Sequence, residues 1–583
     1  MKNLKNKKDI IFTDNVNYLN KINIEYSNKT VISFSLEKKY NEKIKNFYDF
    51  INTRKRLKLA KERVKILKYF NTNLKINNAP ALKNNLCKIF YGCIGIFPIF
   101  DTITNITKKQ KKIQLFTREK NIYDIFKYFE TKKTQLNFKN NNISFEYNLS
   151  RIGLLKLLTT NEIRFHLERK YNKNFSNLNN LSGNHFIFVT IDPNYCEIKN
   201  NLDKTFKKKI IVRKKFDFKK RDFNKNIYLN SIVNICKDVT KKYFKNNLFF
   251  KNYLIKQMVT FYYDYDNNFK YYSKIFKNFN SKVFFLTKTI RNPINTSIYD
   301  IGKKFKKKFY WITSQHGHGI EMTKLHRCSS LTKEETLSDL FLVYSKKGKM
   351  ERYKNIYIKK NIKISEVGFN RNLTPAINIP KHDVLYLSNL NQELSVHEIN
   401  MSNYNNSKKL LIEKNLINNV FAKVNKSILF KDYPGEKYTN IKYDLISNII
   451  NNHKNIKYFY KRLNAENIIP KSSIIITSLA TSTIGPCIQS KKPLIFIDFR
   501  SILPVDKKLI DKFKKYFFYF KYDKQFFNRL KNFLNKDYNT IKNMWEKKNT
   551  RLKDVFIDEY FNIKEKKVVL KNITNLINKF SNK

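Results

Sequence analysis

The residues best suited to chemistry in this 583-residue chain lie in Trp311 to Glu321, WITSQHGHGIE, where an aromatic and β-branched run stops in Gln315-His316-Gly317-His318-Gly319. Gly317 and Gly319 remove Cβ groups that would hold a ligand away from the backbone. With Gln315 they are expected to form a tight polar loop at a strand end. Histidine changes charge near neutrality, so it can act as general base or as a donor to phosphate. His316 and His318 are therefore the candidate catalytic residues. His316 is placed first, because alternate positions of a bent loop seldom both face one ligand. His326 follows ten residues after His316. A structural turn whose histidines merely face solvent is the competing reading. No nearby spacing of ligand residues fits zinc, so no metal and no cofactor are expected.

The elements that must position this loop are readable on its N-terminal side. Val283 to Thr287 (VFFLT) is an apolar strand candidate. Asn292-Pro293 starts a helix with Ile294, Ile298, Ile301 and Phe305 at helical spacing. The order is strand, helix, strand, then the histidine loop at the carboxyl end, which is where ligands bind in an open parallel sheet.

Two further stretches carry chemistry. Ile474 to Thr477 (IIIT) runs into Ser478-Leu479-Ala480-Thr481-Ser482-Thr483-Ile484-Gly485. Hydroxyls and free N–H groups at a helix start favour an anion, which makes Ser482 and Thr483 candidate ligands of a diphosphate. An ordinary N-cap explains the same residues. Lys431 follows the strand Ser427 to Phe430 and precedes Pro434-Gly435, offering a point charge to phosphate. In so lysine-rich a chain a solvated surface role is equally open for it.

The formal charge is +69, with 42% hydrophobic and 15% aromatic residues. That composition is globular, and the length allows two or more domains. The excess positive charge is mostly lysine spread over the whole chain with abundant Asn and Ile, as an AT-rich coding bias would give. Charge alone is thus poor grounds for a nucleic-acid partner, and no nucleic-acid recognition motif stands out. Six scattered cysteines without a CxxC pair fit a reducing cytoplasm. Ile89 to Phe100 (IFYGCIGIFPIF) is too short to span a membrane and reads as a buried strand-turn segment. Arg54 to Phe70 reads as a basic helix with Leu57, Ala60, Val64 and Leu67 on one face. It fits either packing on its own domain or lying on anionic lipid.

Thr30 to Ser35 (TVISFS) is an early strand, and 105–180 reads as mainly helical. His185 to Ile191 (HFIFVTI) is a strand ending at Asp192-Pro193, a turn in which Asp192 could also serve catalysis. Residues 200–250 read as a lysine-rich elaboration. Leu340 to Tyr344 and Ile362 to Val367 are further strands, and the prolines near 371–380 mark a boundary. Beyond it Asp383 to Leu387, Ser427 to Phe430, Ile474 to Thr477 and Pro493 to Asp498 alternate with helices, and the tail from Phe513 is helical. The division expected is an N-terminal Rossmann-like domain at 1–375, with insertions near 105–180 and 200–250, and a C-terminal Rossmann-like domain at 376–583 with a helical tail.

SQHGHG after its strand, SDLFLVYSKKGKMERY, EVGFN, KDYPG and ITSLATSTIGPCIQSKKPLIFID together resemble the GT-B glycosyltransferase-like enzymes of bacterial surface polysaccharide synthesis. These include capsule sugar transferases and CDP-glycerol glycerophosphotransferases, and the resemblance covers roughly 280–500. It implies an α/β fold of two facing Rossmann-like domains, with lysine-rich and helical elaborations in the N-terminal half. It also implies a nucleotide-activated sugar donor held by Lys431, Ser482 and Thr483, and a glycan or lipid-linked acceptor approached by the histidine loop. Tyr433-Pro434 stands where many such proteins carry His-Pro, and a tyrosine hydroxyl is a possible substitute donor. Ser478-Leu479-Ala480 lacks the acidic-aromatic residues of the CDP-glycerol enzymes. Both departures favour a sugar transferase. The alternatives are a CDP-alcohol phosphotransferase of the same fold, a catalytically dead scaffold and a basic nucleic-acid-binding protein. The expected location is the cytoplasm, or the inner face of the cell membrane as a peripheral protein on anionic lipid.

Overall fold

In the computed structural model the inner strands, such as Val283–Thr287, Leu340–Val343 and Leu494–Asp498, are short, apolar and buried along their whole length, as parallel sheets covered by helices require. The structure describes 9–13, 29–34, 44–138 with short breaks, 184–188 and 206–211. It further describes 228–388 with breaks at 288, 324–333, 355–360 and within 372–379, then 406–431, 449–459, 465–499 with single-residue breaks, and 505–582 without 549–550, plus a few isolated residues. Every strand pairing among the described residues is parallel.

Three sheets result. The first comprises β1 (Ile10–Thr13), β2 (Thr30–Ser33), β3 (Ile44–Asn46), β4 (Ile113–Thr117) and β5 (Thr134–Phe138), in the order β3-β2-β1-β4-β5. The second comprises β6 (Asn184–Phe188), β7 (Phe206–Ile211), β8 (Val283–Thr287), β9 (Phe309–Ser314), β10 (Leu340–Val343) and β11 (Lys363–Glu366), in the order β11-β10-β9-β8-β6-β7. The third comprises β12 (His382–Leu387), β13 (Ile428–Lys431), β14 (Ile456–Phe459), β15 (Ser472–Thr477), β16 (Leu494–Asp498) and β17 (Phe518–Lys521), in the order β14-β13-β12-β15-β16-β17. That last order is the doubly wound dinucleotide-binding one, and it reverses between β12 and β15, where the crevice for a ligand opens. The α/β class and the two Rossmann-like sheets agree with the sequence reading, and the first sheet adds a third layered unit. Its strands β4 and β5 fall where 105–180 reads as helical. Residues 200–250 contain β7 and the helix Leu229–Tyr243. Asp192 and His326 lie outside the described residues.

Ile89 to Phe100 is corrected: it is the middle of one helix, Pro80–Thr107, with Pro98 inside it. By length and apolarity this is the only described helix that could cross a membrane, yet 67% of its most apolar window is buried in the fold. It packs against the helices Thr53–Asn73, Leu248–Phe276 and Pro293–Lys304. Burial on this scale overrides the helix-breaking tendency of Gly92, Gly95 and Pro98. The basic helix is also corrected in its facing. Leu59, Ile66, Leu67 and Phe70 are buried, whereas Val64 is 43% exposed. Arg63 is buried, with its guanidinium 3.5 Å from the centre of the Tyr91 ring.

The start of Pro80–Thr107 is held by a carboxylate from far along the chain. Ala81 N–H and Leu82 N–H donate to Asp300 at 2.9 and 3.0 Å, and Tyr265 O–H donates to it at 3.1 Å. Burial pushes the Asp300 carboxyl up to about 7, against the pull of these three donors. A carboxyl raised from 3.8 to about 7 favours folding most below pH 4 and loses that contribution as pH rises through 7. Asp300→Asn does not titrate. The melting temperature of wild type minus that of Asp300→Asn is therefore expected to fall between pH 5 and pH 8, and a pH-independent difference would refute the assignment. Asp300→Ala leaves two buried N–H groups without acceptors and should cost about 2 kcal/mol or more.

The last helix, Lys566–Ser581, returns from the third sheet to the second. Val569, Leu570, Ile573 and Ile577 pack on Phe284, Leu286, Ile312, Leu340 and Leu342. Phe369 joins the same crossing through its main chain, its N–H donating to Asn562 O at 2.8 Å and its carbonyl accepting from Lys564 N–H at 3.1 Å. Part of the tail of the expected C-terminal domain thus covers the second sheet.

Candidate active site

β9 delivers Gln315 to a position where nearly every polar atom of the residue is used. Its N–H donates to Leu342 O at 2.9 Å, and its carbonyl accepts from Tyr344 O–H at 2.8 Å. The side-chain oxygen accepts from Tyr344 N–H at 3.1 Å, while the amide donates to Gly317 O at 2.9 Å and to Glu321. Gln315 therefore shapes the loop and is not free to bind a ligand. Gly319 opens the short helix Gly319–Met322 and accepts from Thr323 Oγ1 at 2.9 Å. A Cβ on Gly317 would lie 2.8 Å from Ser482 Cα, so glycine is needed there because two loops touch. The loop after β9 and the turn after β15 thus meet, carboxyl end to carboxyl end. Arg371 and Gln489 clip the same two units together through paired bonds of 2.8 Å, and Asp506 N–H donates to Met322 O at 2.8 Å.

The two histidines part company. His316 is exposed, and its N–H donates to Glu334 Oε2 at 3.3 Å. His318 is fully buried among Tyr344, Phe369 and Phe561, with ring centres 5.1, 4.9 and 4.8 Å away. Its Nε2 would be 2.8 Å from a Cβ on Gly485. Burial, helped by Arg371, pushes the imidazole down to about 3, so it is neutral at any physiological pH. The catalytic role expected of His318 is corrected accordingly: a ring with no solvent access cannot take a proton from an acceptor, and it acts as packing between the two units.

Behind His316 lies a buried ionic cluster that sequence reasoning missed. Arg352 from the helix Lys346–Tyr353 bonds Glu334 at 3.2 Å and also pairs with Glu335. Burial raises the Glu334 carboxyl, but Arg352, Arg291 and His316 outweigh it and hold the group below the ordinary value. Glu334 is therefore ionised beside His316. Glu321 is driven the other way, up to about 7, chiefly by burial. No local spacing marks these residues, because the pairs join segments 17 and 18 residues apart across β10.

On the facing sheet, Lys431 ends β13 and is 3% exposed, with its Nζ 5.8 Å from the Phe459 ring centre. Leu387 is the register partner of both Lys431 and Thr477, which places those two about 10 Å apart across the switch point. Ser388, just beyond β12, bonds the buried Glu413. The Thr477 and Ser478 hydroxyls are buried and have no hydrogen-bond partner among the described residues. Ser482 and Thr483 are half-buried ahead of the six-residue helix Ile484–Gln489. Thr483 occupies its cap position with helical φ and ψ and makes no side-chain cap bond, so the N-cap explanation fails for it. Tyr433 lies outside the described residues. Among the described residues no group of three or more His, Cys, Asp or Glu side chains could hold a metal ion.

Two Rossmann-like sheets that meet at their carboxyl ends, with a terminal helix crossing back, make this core a GT-B-type fold. No protein-family model matches the chain, and no curated protein matches it. Among solved structures, the S. aureus MnaA–UDP co-structure overlaps 69% of this chain and 97% of its own at 11% identity and TM-score 0.39. Anabaena HepE in complex with UDP and glucose overlaps 53% and 80% at 10% identity and TM-score 0.32. WaaG, a glycosyltransferase involved in lipopolysaccharide biosynthesis, overlaps 68% and 99% at 9% identity and TM-score 0.30.

Proposed function

We propose that the chain is a glycosyltransferase that moves a sugar from a nucleotide-activated donor to a hydroxyl of a surface glycan or lipid-linked acceptor. The observation that carries this reading is the contact of Gly317 with Ser482, because it puts an exposed histidine and a phosphate-suited sheet end at one junction. His316 takes the acceptor hydroxyl proton as the oxygen attacks the anomeric carbon. The bond from that carbon to the donor diphosphate breaks, and the leaving charge is met by Lys431 and the hydroxyls of Thr477, Ser478, Ser482 and Thr483. Ionised Glu334 stabilises the imidazolium that forms, the part a carboxylate plays beside a catalytic histidine. A panel of nucleoside diphosphates and nucleotide sugars tests the donor side. The true donor class should raise the melting temperature with concentration, and no shift with any of them would remove the reading.

Peripheral attachment to an anionic membrane belongs to the same proposal. Lys55, Lys58, Lys61, Lys65 and Lys68 are exposed on the helix Thr53–Asn73, together with Val64. Basic residues near anionic lipid contribute about 1 kcal/mol each and are screened by salt. Co-sedimentation with anionic vesicles is expected at low ionic strength and lost at high. Equal binding to neutral vesicles would contradict it.

A further inference from the structure

The first unit of the fold reaches into the site of the second. Along the Pro80–Thr107 helix, Ala81 and Leu82 meet Asp300, and Asn85 Nδ2 donates to Thr296 Oγ1 at 3.0 Å. The two helices thus run antiparallel, advancing about one turn at each contact. One turn further in this register, Lys88 comes level with the start of Pro293–Lys304, where Arg291 follows the carboxyl end of β8. β8 pairs directly with β9, which carries the histidine loop.

Lys88 is half-buried and Arg291 is exposed. Neither makes a hydrogen bond or an ion pair with a described residue, because Arg352 takes up both nearby carboxylates, Glu334 and Glu335. Burial and the Arg291 charge lower the Lys88 ammonium to about 7, against the opposing pull of Glu334, Glu335 and Cys87. Lys88 and Arg291 repel each other within electrostatic reach of Glu334, the carboxylate beside His316, and an anion lying between the two cations would relieve that cost. An arginine fork and a lysine point charge together suit a phosphate group.

We infer that Lys88 and Arg291 form a binding subsite for a phosphate or diphosphate group carried by the acceptor. This inference rests on the transferase reading, since it assigns the acceptor side of the same junction. An acceptor so held presents its hydroxyl to His316, and a neutral acceptor lacks this anchor. The donor diphosphate is the other source of the same chemistry, so the experiment separates the two. Inorganic pyrophosphate is titrated by calorimetry into the full chain, with and without a saturating nucleoside diphosphate. Pyrophosphate is expected to bind in both cases. Lys88→Met and Arg291→Met should each weaken that binding about tenfold, with nucleoside diphosphate affinity unchanged and the melting temperature no lower than wild type, since each removes a repulsive charge. Lys304→Met, about 18 Å away at the far end of its helix, should change nothing. Pyrophosphate binding that disappears once the nucleotide is saturating, or that survives both substitutions at wild-type strength, would overturn the subsite. Failure of every nucleoside diphosphate to bind the wild type would instead count against the transferase reading, and the pyrophosphate titration would still decide the subsite.

Discussion

His316→Ala is expected to lower turnover about a hundredfold or more while leaving the melting temperature close to wild type. The ring is exposed and the loop is held by other bonds: Gln315 to Gly317 and Tyr344, and the His316 main chain to Glu334. Removing the imidazole therefore deletes chemistry with little cost to the fold. Glu334→Gln keeps a side-chain oxygen for that main-chain bond but removes the charge that steadies the imidazolium, so it too should slow the reaction. His318→Gln should behave in the opposite way. Its ring fills an aromatic enclosure, so stability should drop, and because it is already neutral down to about pH 3 its loss cannot reshape a pH–rate profile near neutrality. Wild-type turnover in a folded His316→Ala protein would end the assignment.

Lys431→Ala is expected to weaken nucleoside diphosphate binding by about one to two powers of ten, the effect of losing one charge-assisted contact of roughly 1.5 to 3 kcal/mol. The lysine is 3% exposed at a strand end, so its ammonium is shielded from water and from salt, unlike the exposed lysines of the basic helix. Lys431→Met retains most of the packing against Phe459 and should lose the same affinity with less loss of stability. Calorimetric titration of both variants checks this, and unchanged affinity in both would move the phosphate site away from the end of β13.

Much of the second and third sheets could be read from sequence because their strands are continuous apolar runs that end in polar or glycine turns. VFFLT, LFLVY and IIIT each became strands, and the loop at Gln315 to Gly319 lies at the carboxyl end of β9. The first sheet was harder to see. Of its strands only TVIS at β2 stands out, while β4 and β5 are short runs amid Asn and Lys. The Pro80–Thr107 helix was hidden by glycine and proline, which punctuate structure locally but yield when neighbouring helices enclose the segment. At the site, residue types named the histidines but could not say which faces solvent. That depends on Phe369 and Phe561, which lie 51 and more residues beyond His318. Arg352, Glu334 and Lys88 escaped for the same reason, as their association is tertiary and leaves no periodic trace.

Donor hydrolysis measures the central claim without knowledge of the acceptor, because water can take the acceptor's place. The full chain is incubated with a panel of nucleotide sugars, and release of nucleoside diphosphate is followed for wild type, His316→Ala and Lys431→Ala. One donor class should be cleaved slowly by the wild type, with the rate falling in both variants and the apparent donor affinity falling only in Lys431→Ala. Cleavage of none of them, or cleavage at the wild-type rate in both variants, would contradict a transfer reaction at the junction of these two sheets.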